Sequence, residues 1–132
     1  MHPKIMARRI EAFTKKQQKM IRNHGYVIHM VARESTHTHG LLENFGHPEI
    51  ECVLPMDPNI LGHLLKDLGE RVKAGVCLQD GQQLNDLIQH LPVKLVASPN
   101  GLRLILPDPE GKLEKEEMHP DYAAQYEGLA KN

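Results

Sequence analysis

The stretch Asp57-Pro58-Asn59-Ile60-Leu61-Gly62-His63-Leu64-Leu65-Lys66-Asp67-Leu68-Gly69-Glu70-Arg71-Val72-Lys73-Ala74-Gly75 carries both ends of a helix and one continuous apolar stripe. Asp57 can accept hydrogen bonds from the first free N–H groups, and Pro58 fits the first helical position, where its missing N–H costs nothing. Ile60, Leu61, Leu64, Leu65, Leu68 and Val72 recur at the three- and four-residue spacing of one helix face. Gly75 supplies the backbone freedom that a helix uses just past its last turn. A helix with one apolar face needs an apolar surface to cover, and the segments on both sides of it read as strands.

Working upstream, Glu49–Leu54 alternates, with Ile50, Cys52 and Leu54 on one side. Asn44-Phe45-Gly46-His47-Pro48 reads as a turn, and Thr36–Leu41 as a short alternating strand. Tyr26–Val31 is nearly all apolar, which predicts a strand buried on both faces and central in its sheet. Asn23-His24-Gly25 ends a first helix, whose apolar positions are Met6, Ile10, Phe13, Met20 and Ile21. Downstream, Pro92–Ala97 and Leu102–Leu106 alternate and are joined by Ser98-Pro99-Asn100-Gly101, a hairpin signal. Between them and the helix, Asp80-Gly81 marks a turn, and Leu84, Leu87 and Ile88 have the spacing of a short helical turn. The order of elements predicts an α+β domain: a mostly antiparallel sheet of about five strands with two main helices packed on it. Residues 1–113 form this single domain. Residues 114–132 are expected to be an acidic C-terminal tail, with Tyr122 and Tyr126 at the spacing to anchor it back.

Composition narrows the function classes. A length of 132 residues suits one core, and 25% charged against 40% hydrophobic residues is the balance of a folded domain. No apolar run approaches the ~20 residues of a membrane span, and Met1-His2-Pro3-Lys4 leads into no apolar leader, so the expected location is cytoplasmic, with no membrane partner. Cys52 and Cys77 stand beside apolar neighbours and are expected to be buried free thiols. Lys4, Arg8, Arg9, Lys15, Lys16, Lys19 and Arg22 face only Glu11 within the first 24 residues. That asymmetry makes nucleic-acid contact through Lys15, Lys16, Lys19 and Arg22 one alternative, a solvated helix face being the plainer one. Nucleophile elbows, phosphate-binding loops and dinucleotide fingerprints are absent from the sequence.

Nine histidines direct attention to His37, His39 and His47. Residues two apart on a strand share a face, so His37 and His39 can present two imidazoles together, half of a transition-metal site. His47 would supply a third ligand and Glu49 a general base, with Glu43 between them, in the reading as a metal-dependent hydrolase. The plainer reading is a set of solvated imidazoles with no cofactor. A binding function asks for less: His24, Tyr26, His37, His39, His47 and Arg103 could line a groove at one end of the sheet for a small ligand or a protein partner. Assembly into a homo-oligomer stays open.

Five short segments in order, His24-Gly25-Tyr26, His37-Thr38-His39-Gly40-Leu41, Pro48-Glu49, Val72-Lys73-Ala74-Gly75 and Pro107-Asp108-Pro109-Glu110-Gly111, resemble the small bacterial family known as domain of unknown function 4262. The resemblance runs over roughly residues 14 to 122. It implies the same α+β fold and, the family's function being unassigned, no mechanism. His37 and His39 stand where the family has Tyr and Val, the stretch between the last two strands is abbreviated to a hairpin, and a late Pro-Trp step is replaced near Met118-His119-Pro120.

Overall fold

The structure, a computed structural model, describes residues 15, 16, 18–31 and 35–129. Met6, Ile10 and Phe13 of the expected first helix, with Lys4, Arg8 and Arg9, lie outside the described residues. The end of that helix, α1 over residues 18–24, is present, and Gly25 closes it with φ 89° and an N–H donated to Ile21 O at 2.7 Å.

Six strands follow among the described residues: β1 (Val27–Val31), β2 (Ser35–His39), β3 (Ile50–Cys52), β4 (Gln83–Ile88), β5 (Leu91–Ser98) and β6 (Gly101–Ile105). They form one sheet in the order β1-β2-β3-β6-β5-β4. Helices α2 (Leu41–Phe45) and α3 (Pro58–Lys73) lie between strands, and α4 (Pro120–Ala123) runs into a 3-10 turn, Ala124–Tyr126. The α+β class expected from the sequence is present, and its finer details change. The sheet is mixed, with six strands, because β3 and β6 pair in parallel at the centre while every other neighbouring pair is antiparallel.

Helix α3 forms as its sequence dictates. Asp57 accepts the Asn59 N–H at 2.9 Å, and Leu61, Leu65, Leu68 and Val72 face the sheet, Leu65 and Leu68 with no exposure. They meet Ile50, Cys52, Val93, Leu95, Leu102 and Leu104, which form the floor of the core. Gly69 gives the Tyr26 ring its place; a Cβ there would come within 2.6 Å of two ring carbons.

Three local expectations need correcting. Leu84, Leu87 and Ile88 lie on strand β4, whose register against β5 shifts between Leu84 and Ile88; that irregularity breaks the alternation and gives a strand helix-like spacing. The turn at 44–48 is partly helix α2, bracketed by Gly40 at φ 111° and Gly46 at φ 64°. Strand β1 is an edge strand, in contact with α3 but with Met30 55% exposed, so its apolar run does not mark a central position in the sheet.

The sheet's other face is closed over β6 by the C-terminal segment. Gln125 is 1% exposed; its Oε1 accepts from Leu106 N at 2.8 Å and its Nε2 donates to Leu106 O at 3.0 Å. Met118 is buried, and Tyr126 Oη donates to Leu113 O at 2.5 Å. The described residues beyond 113 therefore pack on the body. The acidic side chains Glu114, Glu116 and Glu117 are exposed.

Candidate functional site

Residues directly opposite on paired strands share a sheet face. His29 pairs with His37, His37 with Glu51 and Glu51 with Arg103, so one polar row crosses β1, β2, β3 and β6 on the face away from α3. Its two ends differ. At the β6 end, Arg103 Nε donates to Glu51 Oε1 at 3.1 Å, with both side chains under 10% exposed. Its guanidinium also donates to Gln125 O at 2.8 Å and to Glu127 O. Arg103, expected to meet a ligand, is thus spent on Glu51 and on holding the C-terminal segment.

The β1–β2 end is open. The ring centroids of His29 and His37 are 5.2 Å apart, edge to face, and those of His29 and His39 are 5.4 Å apart, stacked. Nε2 of His29 is buried without a hydrogen-bond partner. Burial, followed by the neighbouring His37 and His39 imidazoles, pulls the His29 pKa below its ordinary value of 6.5. Beside the rings lies a depression of about 350 Å³ lined by Ser35, His37, His39, Glu49, Glu51 and Asn100 together with Thr38 and Ile50.

Glu49 is the best-anchored group in this wall. Its carboxylate accepts from Thr38 Oγ1 at 2.9 Å and from the backbone N–H groups of Gly40, Leu41 and Leu42 at 3.1, 3.1 and 3.2 Å. Thr38 Oγ1 in turn accepts from Ile50 N at 2.9 Å. This carboxylate takes the place of a cap on α2, whose preceding Gly40 has no side chain to offer. A group so fully bonded has little capacity left to take a proton from water.

His47 lies elsewhere, 5% exposed. Its Nδ1–H donates to Pro48 O at 2.8 Å and its Nε2 accepts from Leu78 N at 3.0 Å, so both ring nitrogens tie the β3 entry to residue 78. The grouping of His37, His39 and His47 expected for a metal is therefore not brought together; His29 stands beside His37 and His39 instead. As the rings stand, no group of three His, Cys, Asp or Glu side chains among the described residues is arranged to hold a metal ion.

His24 and Tyr26 border a separate depression of about 360 Å³ with Met20, Val27, Ile28, Lys66 and Glu70. The Tyr26 hydroxyl donates to Lys66 O at 3.1 Å, and burial, with Glu70 adding to it, pushes its pKa up to about 12. Lys15, Lys16, Lys19 and Arg22 are exposed on the helical residues before Gly25. Cys52 is buried, its thiol pushed up to about 11 mainly by that burial, whereas Cys77 is exposed, contrary to the expectation of two buried thiols.

Sequence reasoning passed over His29, Glu51 and Asn100. The signal for His29 was its place as the one ionisable side chain within an otherwise apolar strand, opposite a strand carrying two more histidines. Asn100 needs the parallel β3–β6 pairing to be known before the β5–β6 turn comes near β3.

Together these features define a small α+β domain with an open, imidazole-lined cleft at one end of a sheet face. The chain belongs to the family described as Domain of unknown function (DUF4262), whose model matches residues 20–104, more than half of its length. No curated protein matches the chain, and no solved structure does. Among the described residues no helix is long and apolar enough to cross a membrane.

Proposed function

We propose that the protein is a binding domain for a small polar ligand, which sits in the cleft between His37, His39 and the turn at Asn100. The observation that carries this reading is the division of hydrogen-bonding capacity in the cleft. Glu49 is saturated by α2 and Thr38, and Glu51 is paired with Arg103, while His37, His39, Ser35 and Asn100 line the opening. A volume of about 350 Å³ is at the small end of ligand sites, which fits a compact molecule rather than a folded partner. Hydrolysis through His47 and Glu49 is the weaker reading, because the ligand and the base it needs are both bonded to backbone.

The test is an amide NMR titration with a panel of compact carboxylates, phosphates, sugars and amino acids. The expected result is a set of shifts confined to residues 35–39, 49–51 and 100, abolished in His37→Ala/His39→Ala. Shifts centred on Met20, Tyr26, Lys66 and Glu70 would move the site to the other depression. A panel that shifts nothing would count against small-ligand binding.

A further inference from the structure

We infer that His29, His37 and His39 form a three-imidazole site for a divalent transition-metal ion of the zinc, nickel or copper class. The inference deepens the binding reading above and rests on the same cleft. Three observations support it. The β1–β2 register puts His29 opposite His37, and the pleat puts His39 on the same face as His37, so three imidazoles share one patch. The His29 ring is within 5.2 and 5.4 Å, centroid to centroid, of the other two. Nε2 of His29 has neither solvent nor a hydrogen-bond partner. A buried ring nitrogen left unbonded is costly unless something takes its lone pair or its proton, and a cation shared with two neighbouring imidazoles does the first.

Imidazole is the ligand common to these metals, and only its neutral form can bind them. The nitrogens do not converge on one point as the rings stand. Convergence needs His37 and His39 to turn about their side-chain torsions. His39 is exposed, and Nδ1 of His37 has only a long 3.5 Å contact to Ser35 Oγ, so no short hydrogen bond locks either ring and both can turn toward His29 Nε2. Glu51 stays with Arg103 and Glu49 with α2, so three protein ligands would leave a position open toward the cleft. That is the arrangement of a site that also takes water or a small anion.

The experiment uses the full chain without an affinity tag, dialysed against zinc and, separately, nickel, with bound metal measured by elemental mass spectrometry and histidine ring resonances followed by NMR. The expected result is close to one metal per chain, with perturbed rings at His29, His37 and His39, and release in mild acid. His37→Ala and His39→Ala should each weaken binding by ~10-fold or more, the loss typical even of groups that only support a ligand. His63→Ala and His90→Ala, at exposed positions elsewhere, should bind as the unaltered chain does. Absence of stoichiometric metal, or affinity unchanged in both His37→Ala and His39→Ala, would overturn the inference. If metal fails to bind while the compound panel shifts residues 35–39, the metal inference falls alone and the cleft stands. If neither binds, both fall.

Discussion

At the residue scale, Glu49 and His29 show two ways of placing an ionisable group at a partly covered surface. Glu49 is surrounded by donors: a hydroxyl and three backbone N–H groups converge on it, and α2, five residues long, is too short to stand without such help. Glu49→Ala should therefore destabilise the protein by roughly 2–3 kcal/mol, a lost cap plus donors left without partners, as measured by urea denaturation. A cost below ~0.5 kcal/mol would mean that water replaces the carboxylate without penalty. His29 has no such donors; burial first, and then its neighbours His37 and His39, disfavour its charged form, with Glu49 opposing them. A folded pKa below the unfolded value means the unfolded chain binds the proton first. His29 thus contributes stability that is fully present above its ordinary value of 6.5 and is lost as pH falls through the folded value. Between about pH 7.5 and about pH 5, the window an imidazole spans, the denaturation midpoint should fall less in His29→Gln than in the unaltered chain. Parallel pH profiles for the two proteins would show that His29 is not the group responsible.

At the element scale, the C-terminal segment is joined to the sheet largely through Arg103. The guanidinium bridges Glu51 on β3 and two carbonyls beyond α4, so one side chain couples the sheet to residues 120–129. Arg103→Ala would leave the Glu51 carboxylate buried without its counter-ion and the segment without its clasp. A cost of about 3–5 kcal/mol is expected, as for breaking any buried ion pair from one side, together with faster proteolytic cleavage after residue 113. A large loss of stability with unchanged cleavage would confine Arg103 to pairing with Glu51. Elements of this kind were only partly legible in the sequence. The cap and stripe of α3 are local, and Asp57, Pro58 and the leucines specify them without reference to the rest of the chain. Strand β4 is not local in that sense: its irregular register hides the alternation, and its turn to β5 passes through His90, a non-glycine residue at φ 67°. No Asn-Gly or Asp-Gly step announces that turn. The row from His29 to Arg103 was likewise out of reach, because it exists only once four strands are in register.

At the scale of the whole molecule, the sheet is two antiparallel three-stranded units, β1-β2-β3 and β4-β5-β6, joined along the parallel β3–β6 seam. Each unit can be read from its own alternation and turns. The seam cannot, because its two strands are separated by α3, β4 and β5, and nothing in residues 50–52 names the partner. The seam also brings the two sides of the cleft together, by setting Asn100 of the β5–β6 turn beside Glu49 and Glu51. Gly101 is where the approach is tightest. Its φ is 141°, Leu102 N donates to Glu49 O at 2.8 Å, and a Cβ on Gly101 would be driven into the Glu49 backbone. Gly101→Ala should cost about 2–4 kcal/mol, combining overpacking with a conformation that alanine resists. Gly46→Ala provides the control. Gly46 also has a positive φ, 64°, but a Cβ there meets nothing within 4 Å, so its cost should stay near ~1 kcal/mol. Hydrogen exchange adds the spatial test: in Gly101→Ala the Leu102 amide should lose protection while the β1–β2 amides keep theirs. Equal costs for the two substitutions would mean that backbone conformation alone governs both sites. The close packing of the seam would then not be what holds Asn100 at the cleft.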